Sequence, residues 1–361
     1  MAHAPDSLTA GLAARTLELC RIRSPIGDER EIADWIEAWA RGVYPRGEIF
    51  RHSNSLALGA LSDSRATVAL VGHLDTVPAH PSDAAPRSEG GRIFGRGSSD
   101  MKGGLAVMMG LAESLPRKQL PYNLVLVFYE REEGPYLGNG LGPLFELLPA
   151  LKSISLGIAL EPTDNVVQVG CVGSIHATLR ISGKSAHSAR PWQGENAIHK
   201  AGPLLSDLLS LPRREVFFSG FPFYEVFSVT RAGGGRARNV VPDQFEMNVN
   251  YRFAPGKSLA EAQEDVRRLV GGRADIEFID LSPSGRVCTD NPLFGQLLAI
   301  TQLPAAGKQG WTDVARFSEF GVDAINFGPG EAAQAHQQNE SAPAAALAVA
   351  YEKLSLFLRG S

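Results

Sequence analysis

The sequence predicts an α/β protein with a mainly parallel mixed sheet, interrupted by an inserted α+β domain. Three observations carry this prediction: short apolar runs at 67–72, 123–129 and 156–160; helical patterns between them; and a switch after about Gly170 to alternating polar and apolar residues. Buried strands separated by helices build parallel sheets covered on both faces, whereas strict alternation marks a strand with one face in water. A chain of 361 residues, at roughly 150 residues per domain, has room for about two domains.

The elements follow in order. Residues 8–20 and 29–40 carry apolar residues at helical spacing, on either side of the turn Ser24-Pro25-Ile26-Gly27. The buried run 67–72 is followed by a helix over 102–115, the run 123–129 by a helix over 141–148, and the run 156–160 by Glu161-Pro162. Next, 174–182 sets Ile175, Ala177, Leu179 and Ile181 against polar neighbours. A helix over 196–211, strands at 227–232 and 245–253, an amphipathic helix over 258–270 and a strand at 275–279 complete the insertion. It leaves through Ser282-Pro283-Ser284-Gly285. The α/β texture then returns with a helix over 291–302, a strand at 322–327 and a last helix over 342–358. The expected division is one domain of residues 1–172 and 289–361, with 173–288 inserted.

Lys and Arg total 35 against 39 Asp and Glu, a formal charge of −4, so no nucleic-acid or membrane-surface partner is expected. No apolar run approaches the roughly 18 residues of a membrane span. The opening MAHAPDSLTA has no basic and apolar leader, which predicts a cytoplasmic protein. Cys20, Cys171 and Cys288 are odd in number and far apart, and read as reduced core thiols. The glycines at 95 and 97 and at 233–235 form no phosphate-binding fingerprint.

Acidic and histidine residues cluster at strand ends. His73 and Asp75 close the first buried run, Glu132 and Glu133 follow the second, and Glu161 ends the third. His336 lies in the loop after 322–327, and Asp100 precedes a helix. Taken singly, His73-x-Asp75 is a hydrogen-bonded pair, Asp100 a helix N-cap, Glu132-Glu133 a solvated loop, Glu161-Pro162 a strand terminus and His336 an exposed loop residue. Taken together they differ. Ligands bind beyond the carboxyl ends of strands in open α/β sheets, and two histidines with three carboxylates there suit two borderline divalent ions such as Zn²⁺.

On these residues the sequence resembles the M20 metallopeptidase and deacylase family. HLDTVP at 73–78, GSSDMKGG at 97–104, EREEG at 130–134 and EPT at 161–163 match its blocks in order, and the resemblance covers essentially the whole chain. Further segments place it nearest the actinobacterial branch that removes succinate from N-succinyl-LL-2,6-diaminopimelate. These are CVGSIHATLRISGKSAHSARPWQGENAIHK at 171–200, RNVVPD at 238–243, NYRFAPG at 250–256, GWTDVARF at 310–317 and NFGPGE at 326–331.

The resemblance implies a zinc-peptidase-like catalytic domain with an inserted lid and dimerisation domain, two divalent ions (zinc, or cobalt or manganese) and a homodimer acting on a small N-acyl amino acid. Asp100 would bridge the ions, His73 and Glu161 would complete one site, and Glu133 and His336 the other. Asp75 would orient the His73 ring, and Glu132 would be the general base. His187, from the lid, would donate to the oxyanion. Asn239, Arg252, Arg190 and Thr312 would bind substrate, with Asp313 and Arg316 beside Thr312. His52, His80, His176 and His199 match no catalytic position. An acetylornithine-type deacetylase, a carboxypeptidase or a dipeptidase of the family would share the same ligands. A non-catalytic binding member would have lost one of His73, Asp100, Glu132, Glu133, Glu161 or His336, and all six are filled by competent residues.

Overall fold

A computed structural model describes residues 7–61 and 64–360. The chain divides into two compact units. The first takes the residues up to Gly170, Arg286–Lys308 and those from Thr312 on; the second takes Cys171–Gly285 and Gln309–Trp311.

The first unit is built on an eight-stranded mixed sheet. Its order is Ile49–His52, Ser55–Leu58, Asn123–Tyr129, Thr67–His73, Ile154–Ala159, Ala324–Asn326, Val167–Val169 and Ala305–Gly307. The central strands Asn123–Tyr129, Thr67–His73, Ile154–Ala159 and Ala324–Asn326 pair in parallel, as their apolar runs predict. Side chains alternate across the sheet. Ala69, Val71, Val125 and Val127 face the helices Leu141–Leu147 and Val314–Glu319 through Leu144, Phe145 and Phe317. Gly72 faces the other way, where the ends of the Leu105 and Met101 side chains fill the space a Cβ would take, 2.5 and 2.7 Å from it. The helix Gly103–Ser114 packs with Ser7–Arg21 and Ala344–Arg359.

The differences from the sequence reading lie at the edges. The strands at 49–52, 55–58, 167–169 and 305–307 are short and carry no periodicity of their own. The last helix begins at Ala344, because Ser341–Pro343 pairs as a strand with Arg92–Phe94. Asp100 is not a helix N-cap. It lies in extended backbone (φ −123°, ψ 92°), and the helix starts at Gly103 after Lys102.

The second unit is an antiparallel five-stranded sheet in the order Arg214–Phe218, Phe221–Gly234, Gln244–Phe253, Gly173–Ser182, Asp275–Ser282. Ile175, Ala177, Leu179 and Ile181 point into one core with Met247, Val249 and Tyr251. The helices Ala197–Ser210 and Leu259–Val270 cover it through Leu204 and Val266. The second helix opens on the capping box of Ser258 and Glu261 and closes on Gly271 in left-handed backbone. Among the described residues no helix is long and apolar enough to cross a membrane, and Cys20, Cys171 and Cys288 are buried thiols outside any disulfide.

Candidate metal centre

The parallel register brings the acidic and histidine residues to one edge. His73 is the last residue of its strand and pairs with Tyr129, which Glu130 follows. Val71 pairs with Ala159, two residues before Glu161, and Asn326, which opens the chain toward His336, also pairs with Ala159. Asp100 arrives from the loop that Gly97 turns, with φ 83°. The Asp100–Met101 peptide is cis.

Three groups of donor atoms result, each within 4.8 Å of one another: His73, Asp100 and Glu161; His73, Glu132 and Glu133; and Asp100, Glu133 and His336. Asp100 stands in two of them through different oxygens. Oδ1 lies 3.1 Å from His73 Nε2, and Oδ2 lies 3.7 Å from His336 Nε2. His336 Nε2 is also 2.9 Å from Glu133 Oε2. On its other side, His73 Nδ1 lies 3.0 Å from the main-chain oxygen of Asp75 and 3.5 Å from its carboxylate. That carboxylate accepts the backbone N–H groups of Glu132 and Glu133 at 3.0 and 2.9 Å, so Asp75 ties the His73 strand end to the paired glutamates. The cluster grades from buried His73 and Glu161 to exposed His336.

Crowded carboxylates shape the electrostatics. Burial raises the pKa of Glu132 well above the ordinary glutamate range; the His73 charge opposes this, and Glu161 and Glu133 reinforce it. Burial likewise pushes Glu161 up to about 7. For His73, burial disfavours the charged ring, but hydrogen bonds to Asp100 and Asp75 outweigh it and hold the pKa well above the usual value. Asp100 is half-buried, and desolvation tends to raise its pKa, yet His73 draws it below the normal range. Glu161 Oε1 is buried without a hydrogen-bond partner and lies 4.0 Å from His73 Nε2. An orphaned buried carboxylate oxygen is what a cation would satisfy, and nitrogen and carboxylate donors in this number fit divalent zinc, cobalt or manganese. The residues fit a metal centre.

The remaining candidates fall elsewhere. His187, Arg190 and Asn239 belong to the second unit and come together there: Ser188 N donates to Asn239 O at 2.9 Å, and Arg190 N donates to His187 O at 2.8 Å. His187 is exposed and accepts the Ala189 N–H on Nδ1 at 3.0 Å, which puts the ring proton of the neutral form on Nε2. Arg252, also in the second unit, is half-buried and donates from Nε to Asn250 at 3.0 Å. Thr312 is buried in the first unit, its hydroxyl donating to Asn326 Oδ1 at 2.8 Å.

Of three buried groups around the cluster, Lys308 and Glu340 escape sequence reasoning, and Asp313 enters it only as a neighbour of Thr312. Lys308 donates to Pro162 O at 3.1 Å, behind Glu161. Each Asp313 carboxylate oxygen accepts from Asn139 Nδ2, at 3.0 and 2.9 Å. Glu340 accepts backbone N–H groups of the Asp100 loop, and burial pushes its pKa to about 7. The glycines at 95 and 97 hint at a tight turn, but nothing local identifies the carboxylate it encloses.

Comparison with known proteins follows this geometry. The profile of peptidase family M20/M25/M40 matches residues 69–360. The succinyl-diaminopimelate desuccinylase of Corynebacterium glutamicum is 36% identical over 339 residues, 91% of this chain and 90% of its own length. A Mycobacterium tuberculosis protein provisionally given the same name is 36% identical over 346 residues, 96% of this chain and 97% of its own. A solved M20 family metallo-carboxypeptidase from Sulfolobus solfataricus superposes with a TM-score of 0.78, covering 96% of this chain and 98% of its own. At 15% identity that likeness concerns the fold alone.

Proposed function

The chain belongs to peptidase family M20/M25/M40, and from that premise we propose that it is a metal-dependent amide hydrolase that cleaves N-succinyl-LL-2,6-diaminopimelate to succinate and LL-2,6-diaminopimelate. The observation that carries the reading is Asp100, which presents one oxygen to the His73 side and the other to the His336 side of a single cluster. The near full-length likeness to a desuccinylase supports the substrate.

In this reading Asp100 would be shared between two ions, His73 and Glu161 would help hold one, and Glu133 and His336 the other, with zinc the metal best suited to the donors. Two such ions supply Lewis-acid polarisation of the scissile carbonyl and of the attacking water. Glu132, kept off the ions, takes the water proton on its carboxylate and returns it to the departing amine nitrogen. Burial raises its pKa, which favours the half of the transfer in which it carries the proton. Asp75 fixes the His73 ring and the Glu132-Glu133 backbone together. His187 is assigned the oxyanion, with Nε2–H as donor. Arg190, Arg252 and Asn239 are assigned the substrate carboxylates, for which planar guanidinium groups are suited, and the second unit is assigned as lid and dimerisation domain of a homodimer. Three buried thiols suit a reducing, cytoplasmic setting.

The test is a pair of substrates differing only in the terminal carboxylate of the succinyl group. Removing that carboxylate is expected to lower kcat/KM by about 10- to 100-fold, the worth of a charged hydrogen bond. An unchanged kcat/KM would move the chain to another acyl or peptide substrate of the family.

A further inference from the structure

The loop that delivers Asp100 is wrapped around a single buried carboxylate, that of Glu340. Glu340 Oε1 accepts the backbone N–H groups of Ser99 and Asp100 at 2.8 and 2.9 Å. Oε2 accepts that of Gly97 at 2.9 Å and faces Arg96 Nη1 at 3.4 Å, and Gly95 N donates to the Glu340 main-chain oxygen at 3.0 Å. The residue is 2% exposed. Backbone N–H groups of one loop converging on an anion form a nest-like cradle, and Gly97 makes this one possible. Its φ is +83°, and a Cβ there would come 2.8 Å from Thr76 Cγ2 and 3.0 Å from Lys102 Cδ.

Glu340 also belongs to the segment that carries His336. The same two segments meet again where Ser99 Oγ donates to Glu331 O at 3.0 Å, and where a Cβ on Gly330 would stand 2.2 Å from Ser99 O. One side chain thus fastens the backbone of Asp100 to the chain of His336, two members of one donor group separated by more than two hundred residues.

We infer that Glu340 is a positioning residue of the metal centre, setting Asp100 against His336 so that both reach the same ion. The inference rests on the dinuclear reading proposed above. Glu340 belongs to none of the three donor groups and acts through its hydrogen bonds to the loop backbone.

The test is Zn²⁺ titration of metal-free wild type, Glu340→Gln and Glu340→Asp against a chromophoric chelator, together with the thermal midpoint of each metal-free protein. Wild type is expected to bind two ions. Glu340→Gln, which presents an amide to N–H donors, is expected to weaken at least one binding step by about 10- to 100-fold, the usual effect of removing a group that orients a ligand. Glu340→Asp keeps the charge with a shorter reach and is expected to lose less. Wild-type affinities in both variants, even with lowered midpoints, would make Glu340 merely structural and overturn the inference. Should Glu340→Gln fail to fold, Glu340→Asp decides alone: weakened binding supports the inference and unchanged binding overturns it. Fewer than two ions on wild type would overturn the dinuclear reading and the inference with it.

Discussion

Glu132 and Glu133 are adjacent in the chain and lean on the same Asp75 carboxylate through their backbone N–H groups, yet their side chains meet different neighbours. Glu133 meets His336 at 2.9 Å, whereas Glu132 joins His73 and Glu133 in a third donor group that lacks Asp100. Replacing Glu132 by glutamine keeps its volume and removes the proton carrier. Glu132→Gln is expected to bind the same number of ions as wild type, measured by metal analysis after dialysis, and to lose about 10²- to 10⁴-fold in kcat. Retained turnover would remove Glu132 from the mechanism. Residues of this kind were legible in the sequence because their types are unusual at strand ends. Glu340 was not, because a glutamate in His336-Gln337-Gln338-Asn339-Glu340 looks like any solvated loop residue until the chain brings the Asp100 loop onto it.

The helix Leu259–Val270 illustrates how a recognisable element hides its anchorage. Its capping box and amphipathic stripe are plain in the sequence, but the network that pins it to the sheet is not. Asp265 Oδ2 accepts from Tyr251 Oη at 3.0 Å and from Lys257 Nζ at 2.5 Å, and Lys257 reaches Glu225 at 2.8 Å. Burial tends to raise the Asp265 pKa, but these hydrogen bonds prevail and hold it below the usual aspartate range. A depressed carboxylate stabilises the fold above its unfolded pKa of about 4 and loses that contribution as pH falls through the lower folded value. Asp265→Asn is therefore expected to cost about 1–2 kcal/mol at pH 7. In urea unfolding, the gap between wild type and variant should close as pH falls below about 4. A gap independent of pH would mean that shape, and not charge, holds the network.

Across the molecule, legibility followed burial. The strands Thr67–His73, Asn123–Tyr129 and Ile154–Ala159 are shielded on both faces and so appear as mainly apolar runs without alternation. Three-residue strands such as Val167–Val169 and Ala305–Gly307 owe their state to the neighbour they pair with, which no local window contains. The centre was legible for the same reason as the sheet: parallel strands end on one side, so residues just past their ends converge wherever they fall in the chain. Thr312 fits that logic less well, since its hydroxyl is engaged by Asn326.

The central claim is that this cluster, loaded with metal, hydrolyses an N-succinyl amide. Its most direct measurement is hydrolysis of N-succinyl-LL-2,6-diaminopimelate by chelator-treated protein before and after zinc is restored, with N-acetylornithine run in parallel. The account predicts no turnover without metal, and zinc-restored release of succinate with little or no action on N-acetylornithine. Turnover of neither compound by protein that has bound two ions, or turnover that survives removal of the metal, would contradict it.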